Sequence, residues 1–441
     1  MRKLRKSVAA LGAVGAFTAL VFVAGSASAD NQPTAGDVVG VGSDTVQYAS
    51  DFLADGDDAG DAGYNGAVTN RDMSFFATGD GNGRALYDQN GTLLVGGNAG
   101  GASSNLQGTT TIVLRQGTQP VARPDGSGDG IAALTNDSIG GTGYEGLARN
   151  SINYSRASRL PKQIEQTNCS NNANCGGLHV YEFADDTLEM AKWTGGTSNA
   201  FPLSVSDLKN IYNCTYTTWN QIPDAPAGVS HDTIIPVIPQ PGSGTRNFFL
   251  ADLGLANVGT GCTEQAEEHD PTGVTHAYQL TDTTKTPDPA DAIEPFSVGR
   301  ALLAASGYFN NTPEPASDFK IGLITGCANV TSAWTSAGYT ADQGYCGTGT
   351  DPSDSTQLAN GGTPIQTTAD GAIYNASRGL YFIVRDHDLT SHTPFQPGTT
   401  KNFAQVLFSG ASSFVASNPA LIQSAFLVPN YHDESDNHTT P

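Results

Sequence analysis

The sequence predicts an α/β fold, and three observations carry that prediction. Strand-like and helix-like segments alternate along much of the 441-residue chain, the pattern of strands joined by packed helices. Several apolar runs end in a glycine- and serine-rich turn that leads at once into a helix-like repeat. The chain is also longer than one hydrophobic core usually spans, so two domains are expected.

The first element is not part of the fold. Residues 1–29 combine a basic start, "MRKLRK", an apolar stretch, "VAALGAVGAFTALVFVAG", and a small-residue site, "ASA", before Asp30. That is the layout of a cleaved signal peptide. No lipid-accepting cysteine follows it, so a secreted, extracytoplasmic chain is expected. Removing the four leader cations from the 21 Lys and Arg leaves 17 against 43 acids, a net charge of −26. Such a surface repels nucleic acid and anionic membranes, and neither is expected as a partner.

Taken in order, "DTVQYASDFLAD" reads as a helix from Asp44, with Val46, Ala49, Phe52 and Leu53 on one face. Residues 55–101 are dense in Gly, Asp and Asn and read as loop or insertion. Within them "DGDDAGD" lacks the glycine offset and distal Glu of a calcium loop. "TTIVLRQG" alternates like a strand, and "DDTLEMAKW" and "SVSDLKNIYN" read as helices, the second with Ser206 as N-cap. A second loop-rich stretch covers 259–295. "SRGLYFIVRD" reads as a strand, and "KNFAQVLFSGASSFVAS" and "PALIQSAFLV" read as closing helices.

The six cysteines are an even number in an oxidising compartment. Neighbour pairing gives Cys169–Cys175, Cys214–Cys262 and Cys327–Cys346, one of 15 possible connectivities. No CxxC occurs and no histidine stands at zinc spacing around the cysteines, so no metal or other cofactor is expected.

The turns carry the chemistry. In "TIIPVIPQPGSGTRNFFLADLG" a β-branched run stops at prolines, and Ser243, Gly244, Thr245 and Arg246 lead into a helix. A helix start leaves backbone N–H groups unpaired and adds positive potential, so an anion is its natural guest. The pattern recurs. "VVGVGSDTVQY" places Ser43, Asp44 and Thr45 at a turn, and "RPDGSGDGIAAL" does so for Ser127, Gly128 and Asp129. "INYSRASRL" adds Arg156, Ser158 and Arg159. Four arginines, at 123, 156, 159 and 246, lie in or beside these turns of a very acidic chain. Arginine can hold a tetrahedral oxyanion with two parallel hydrogen bonds. Catalytic patterns are missing: there is no GxxxxGK[ST], no GxSxG and no HExxH.

In the order "GVGSDT", "DGSGDG", "SRASR", "LSVSDLKNIYNCTYTTWNQI", "IIPVIPQPGSGTRNFF" and "YNASRGLYFIV", the chain resembles the phosphate-binding proteins of bacterial phosphate ABC importers, most of all their actinobacterial relatives. The resemblance implies the two-lobed periplasmic-binding-protein type II fold with a two-strand hinge. Lobe 1 would be 30–177 plus 374–441, and lobe 2 would be 178–373. The hinge crossings would fall near "GGLHVYEF" and "YNASRGLYFIV". Phosphate would sit between the lobes, held by the three serine-bearing turns, with importer membrane subunits as further partners of a monomer. Three departures stand out. Where well-known members have a carboxylate after the third loop, this chain has Arg156, Ser158 and Arg159; where they have an arginine four residues before the serine of the GSGT loop, it has Pro239; and it shows no lipid anchor. The expected function is non-enzymatic phosphate capture. The alternatives are a secreted phosphoesterase using the same pocket, or a released module for another anionic ligand.

Overall fold

A computed structural model describes residues 33–57, 59–77, 85–87, 93–96, 111–138, 143–193, 197–223, 225–266, 268, 289–305, 321–324, 367–368, 371–372, 374 and 376–435. The expected leader and the Cys327–Cys346 pair lie outside these residues.

The chain opens with β1 (Val38–Gly42), α1 (Asp44–Asp55), β2 (Asp72–Ser74), β3 (Ala85–Tyr87) and β4 (Leu93–Gly96). There follow β5 (Thr111–Ile112), β6 (Val121–Ala122), α2 (Ser127–Asn136), β7 (Tyr154–Ala157), α3 (Gln163–Ser170) and the long β8 (Leu178–Trp193). Next come α4 (Val205–Tyr212), β9 (Ile235–Pro239), α5 (Gly244–Asp252), β10 (Glu264–Ala266), β11 (Ala292–Ser297), α6 (Val298–Ala305) and β12 (Ile321–Ile324). The chain closes through β13 (Thr367–Thr368), β14 (Gly371–Ala372), β15 (Ala376–Arg385), α7 (Asp386–Leu389), α8 (Phe403–Leu407), α9 (Phe414–Ser417), α10 (Pro419–Gln423) and β16 (Val428–Ser435).

The main sheet runs β2-β1-β7-β15-β8-β11-β9-β10-β3-β4. Near one end β1 is parallel to β2 and β7; towards the other, β9 is parallel to β10 and β11. Between these parallel groups β8 and β15 run antiparallel from Leu178–Arg385 to Leu188–Ala376. β8 has 16 residues, about 50 Å of extended chain, and serves both groups. Its first half pairs with β15 and β16, its second with β11 and β12.

Strand periodicity divides the core. On β15, Leu380, Phe382 and Val384 face a cluster with Phe52, Tyr154, Phe183 and Phe408, while Tyr381 and Ile383 join Val39, Val41, Ile131 and Leu134 on the other face. A third cluster gathers Leu188, Met190, Leu208, Ile211, Trp219, Ile238, Phe249 and Ile293 around the β9–β11 end.

Three expectations change. "DDTLEMAKW" is the second half of β8 and not a helix. Neighbours bond to both of its edges and bury Leu188 and Met190, and this pairing overrides local helix preference. The N-cap of α4 is Ser204, whose Oγ accepts from Asp207 N at 3.0 Å while the Asp207 carboxylate accepts from Ser204 N at 2.9 Å. The closing segment breaks into short helices around Gly410, which stands at φ +81°, and ends in a strand. Two neighbour disulfides are formed: Cys169–Cys175 at the end of α3, with a Cα–Cα distance of 5.2 Å, and Cys214–Cys262 at 5.7 Å. Among the described residues no helix is long and apolar enough to cross a membrane.

Candidate functional site

β1 ends at Gly42, where φ is +113° and a Cβ would meet the Arg156 carbonyl at 2.5 Å. Glycine is required there by both conformation and space. The chain then turns at Ser43 into α1. Ser43 makes no capping bond of its own; its Oγ donates to Ser158 Oγ at 3.3 Å. Ser127, the first residue of α2, accepts from Ser158 N at 2.9 Å and shares a hydroxyl hydrogen bond with Ser158 at 3.2 Å. Ser243 caps α5, accepting from Arg246 N at 3.0 Å. Gly244 backs so closely onto the other two turns that a Cβ would collide with Ser127 Oγ and Ser158 Oγ. Gly128 N donates to Gly242 O at 2.9 Å. The starts of α1, α2 and α5 therefore meet at one point, and Ser43, Ser127, Ser158 and Ser243 are all buried there.

Beside the serines lies a second set of polar groups. Thr45 and Thr245 are 3.4 Å apart, hydroxyl to hydroxyl. Both donate to Glu268 Oε1, at 2.5 and 3.0 Å. Both also accept from the Arg378 guanidinium, Thr245 from Nη1 at 2.6 Å and Thr45 from Nη2 at 3.3 Å. Arg378 is anchored through Nε and Nη2 to Asp186 Oδ2, at 3.1 and 2.8 Å. Arg378 and Asp186 are opposed residues on β15 and β8. Asp186 Oδ1 in turn accepts from Ser297 Oγ at 2.8 Å.

The arginines flagged from sequence face other partners. Arg156 is fully buried and directs Nε to Ser43 O at 3.2 Å, Nη2 to Gly42 O at 3.0 Å and Nη1 to Ser74 Oγ. It braces the β1 turn from beneath, and burial pulls its pKa down. Arg159 grips Glu165 through two bonds of 2.8 and 2.6 Å. Arg246 donates to Pro239 O at 2.8 Å, and Arg123 to Phe76 O at 2.9 Å. Asp44 is buried at the start of α1, whereas Asp129 in the first turn of α2 is exposed.

Arg378, Asp186 and Glu268 were not singled out from sequence. Arg378 sits inside the quoted "YNASRGLYFIV", but a lone arginine on a strand carries no local signal. Glu268 lies in a loop-rich stretch with several other acids. Among the described residues no group of three or more His, Cys, Asp or Glu side chains is placed to hold a metal ion. Chemically, the junction offers helix-start N–H groups, rotatable hydroxyls and one guanidinium, a set suited to binding an oxyanion.

Comparison with solved structures finds likenesses at low identity. An ABC-type phosphate transport receptor from Vibrio cholerae is 16% identical, with a TM-score of 0.30, over 59% of this chain and 73% of that one. A phosphate binding protein from Stenotrophomonas maltophilia is 11% identical, with a TM-score of 0.38, over 89% of this chain and 90% of that one. A search of curated proteins gives no match. The model of the PBP (periplasmic-binding-protein) superfamily domain matches residues 89–411, and the chain belongs to that family.

Proposed function

We propose that this chain captures a tetrahedral oxyanion, inorganic phosphate, in a cleft between two lobes outside the cytoplasm. One observation carries the reading: three serine-bearing helix starts from distant parts of the chain converge beside a buried arginine. Lobe 1 comprises 30–177 with 374–441, and lobe 2 comprises 178–373. β8 and β15 form the connection. Membership of the PBP superfamily is consistent with a non-catalytic binding protein.

In this reading Ser43, Thr45 and Ser127 serve from lobe 1, with Ser158 between them. Ser243, Gly244 and Thr245 serve from lobe 2, and Arg378 supplies the positive charge. Arg156, Arg159 and Arg246 hold the turns in shape. Bonds now link the two sides: Thr45 and Thr245 share Glu268 Oε1, Gly128 N donates to Gly242 O, and Gln240 Nε2 donates to Asp125 Oδ1 at 3.0 Å. An entering ion takes over these donors, so closure is a population shift that contacts from both lobes bias. Delivery to the membrane subunits of an importer is the use that fits such a receptor.

Titration calorimetry with phosphate, with and without chelator, tests this reading alongside a phosphoester hydrolysis assay. Metal-free binding without turnover is expected. Turnover abolished by chelator would replace the reading with the phosphoesterase. Selectivity has its own test. Phosphate keeps a proton near neutral pH and sulfate does not, and an unpaired buried proton costs about 1–3 kcal/mol. Asp44→Asn or Asp129→Asn is expected to narrow the preference for phosphate over sulfate; unchanged discrimination in both variants removes these acids as the proton's acceptor.

A further inference from the structure

The proposed function leaves Glu268 without a role, yet Glu268 occupies the centre of the site. Its side chain is fully buried. Oε1 accepts the hydroxyl protons of Thr45 at 2.5 Å and Thr245 at 3.0 Å. Its backbone N donates to Gln240 Oε1 at 2.8 Å, and Gln240 reaches across to Asp125. A hydroxyl has a single proton to give. Each threonine spends that proton on Glu268 and fills a lone pair from Arg378. Thr45 and Thr245 therefore have no donor left for another anion while Glu268 is in place.

The surroundings explain why a carboxylate settles there. Thr45 and Thr245 stand in the first turns of α1 and α5, where the helix dipoles are positive. Arg378 adds a full charge behind both hydroxyls. Such a place attracts any oxyanion, including one supplied by the chain itself.

We propose that Glu268 is a built-in competitor for the anion site, a carboxylate that takes the hydroxyl donors of both lobes and must withdraw before a free oxyanion binds. This inference rests on the oxyanion-binding reading given above. Tethered to β10, Glu268 competes at a fixed effective concentration. The apparent affinity for free ligand falls by the fraction of molecules in which Glu268 is withdrawn. The same contact holds α1 and α5 together while the protein waits for ligand.

The test uses the mature chain and two variants, Glu268→Gln and Glu268→Ala, titrated with phosphate and with sulfate. Glutamine keeps the size and an acceptor for the threonines but removes the charge. Both variants are expected to bind both ions at least about tenfold more tightly. Stopped-flow mixing should assign most of the gain to faster association, because withdrawal precedes binding. If Glu268→Gln weakens phosphate and leaves sulfate unchanged, Glu268 receives the ligand's proton and the competitor is overturned. Unchanged affinities in both variants overturn it too, while binding by the unmodified chain leaves the oxyanion reading intact. An unmodified chain that binds neither ion beside variants that bind both would support a dominant competitor. Failure of all three proteins to bind either ion, with circular dichroism showing each folded, removes both readings together.

Discussion

Two buried arginines on β15 show how similar chemistry can build either a scaffold or a site. Arg385 bonds Asp388 through Nε at 2.7 Å, Asp137 through Nη1 at 3.1 Å and the Ile152 carbonyl through Nη2 at 2.8 Å. Arg378 bonds Asp186 on the neighbouring strand and then the hydroxyls of Thr45 and Thr245, on two different helices. Both guanidiniums are desolvated and both have carboxylate partners. The difference lies in the remaining partners. A backbone carbonyl cannot turn away without breaking the fold, whereas a side-chain hydroxyl can swing away by a rotamer change and leave the guanidinium N–H groups to a new acceptor. Arg385 is locked by what surrounds it. Arg378 is held among exchangeable partners at the junction of helix starts.

The largest expected effect is on the scaffold side. Arg385→Met strands Asp137 and Asp388 inside the protein and should cost about 3–5 kcal/mol of stability, read as the shift of the chemical denaturation midpoint. A loss below 1 kcal/mol would remove Arg385 from the scaffold. Arg378→Met also strands a buried carboxylate, Asp186, so it too should lower stability; its distinguishing effect, measured where the variant is still folded, is about a hundredfold weaker phosphate affinity by calorimetry, the loss of a charge-assisted contact worth up to about 3 kcal/mol. Unchanged affinity would move the charge of the site elsewhere.

A third test sharpens the scaffold side through pH. Asp72 accepts from Tyr154 Oη at 2.9 Å, and burial pushes its carboxyl up to about 7. The folded state therefore binds a proton between pH 4 and 7 that the unfolded chain has released, so stability falls as pH rises through that window. Asp72→Asn, which stays neutral, should gain about 2 kcal/mol on the parent protein between pH 5 and 8. An equal difference in melting temperature at both pH values would contradict the shift. The smallest effect belongs to the exchangeable side. Gly244→Ala pushes a methyl against Ser127 and Ser158, and should weaken phosphate binding about tenfold (about 1.4 kcal/mol) while the chain still folds. Loss of folding instead would place Gly244 with the scaffold.

The helix starts at Ser43, Ser127 and Ser243 were legible in the sequence because an apolar run, a glycine turn and an amphipathic repeat are local features. The second half of β8 was not. Its residues 185–193 suit a helix taken alone, and only partners on both edges make them a strand. The disulfides Cys169–Cys175 and Cys214–Cys262 followed the neighbour pairing, although spacing alone left other connectivities open. Among the arginines, closeness to a glycine turn did not predict direction: Arg156 and Arg159 turned to carbonyls and a carboxylate of the chain.

By itself, then, the sequence determined the alternating elements, the acidic surface and the chemistry of each turn, because propensity, period and capping act within a few residues. Only the tertiary structure decided that these turns meet, that Arg378 stands behind Thr45 and Thr245, and that Glu268 lies between them. Those contacts join residues from 23 to 333 positions apart, where burial and complementary charge, rather than any local preference, set the arrangement.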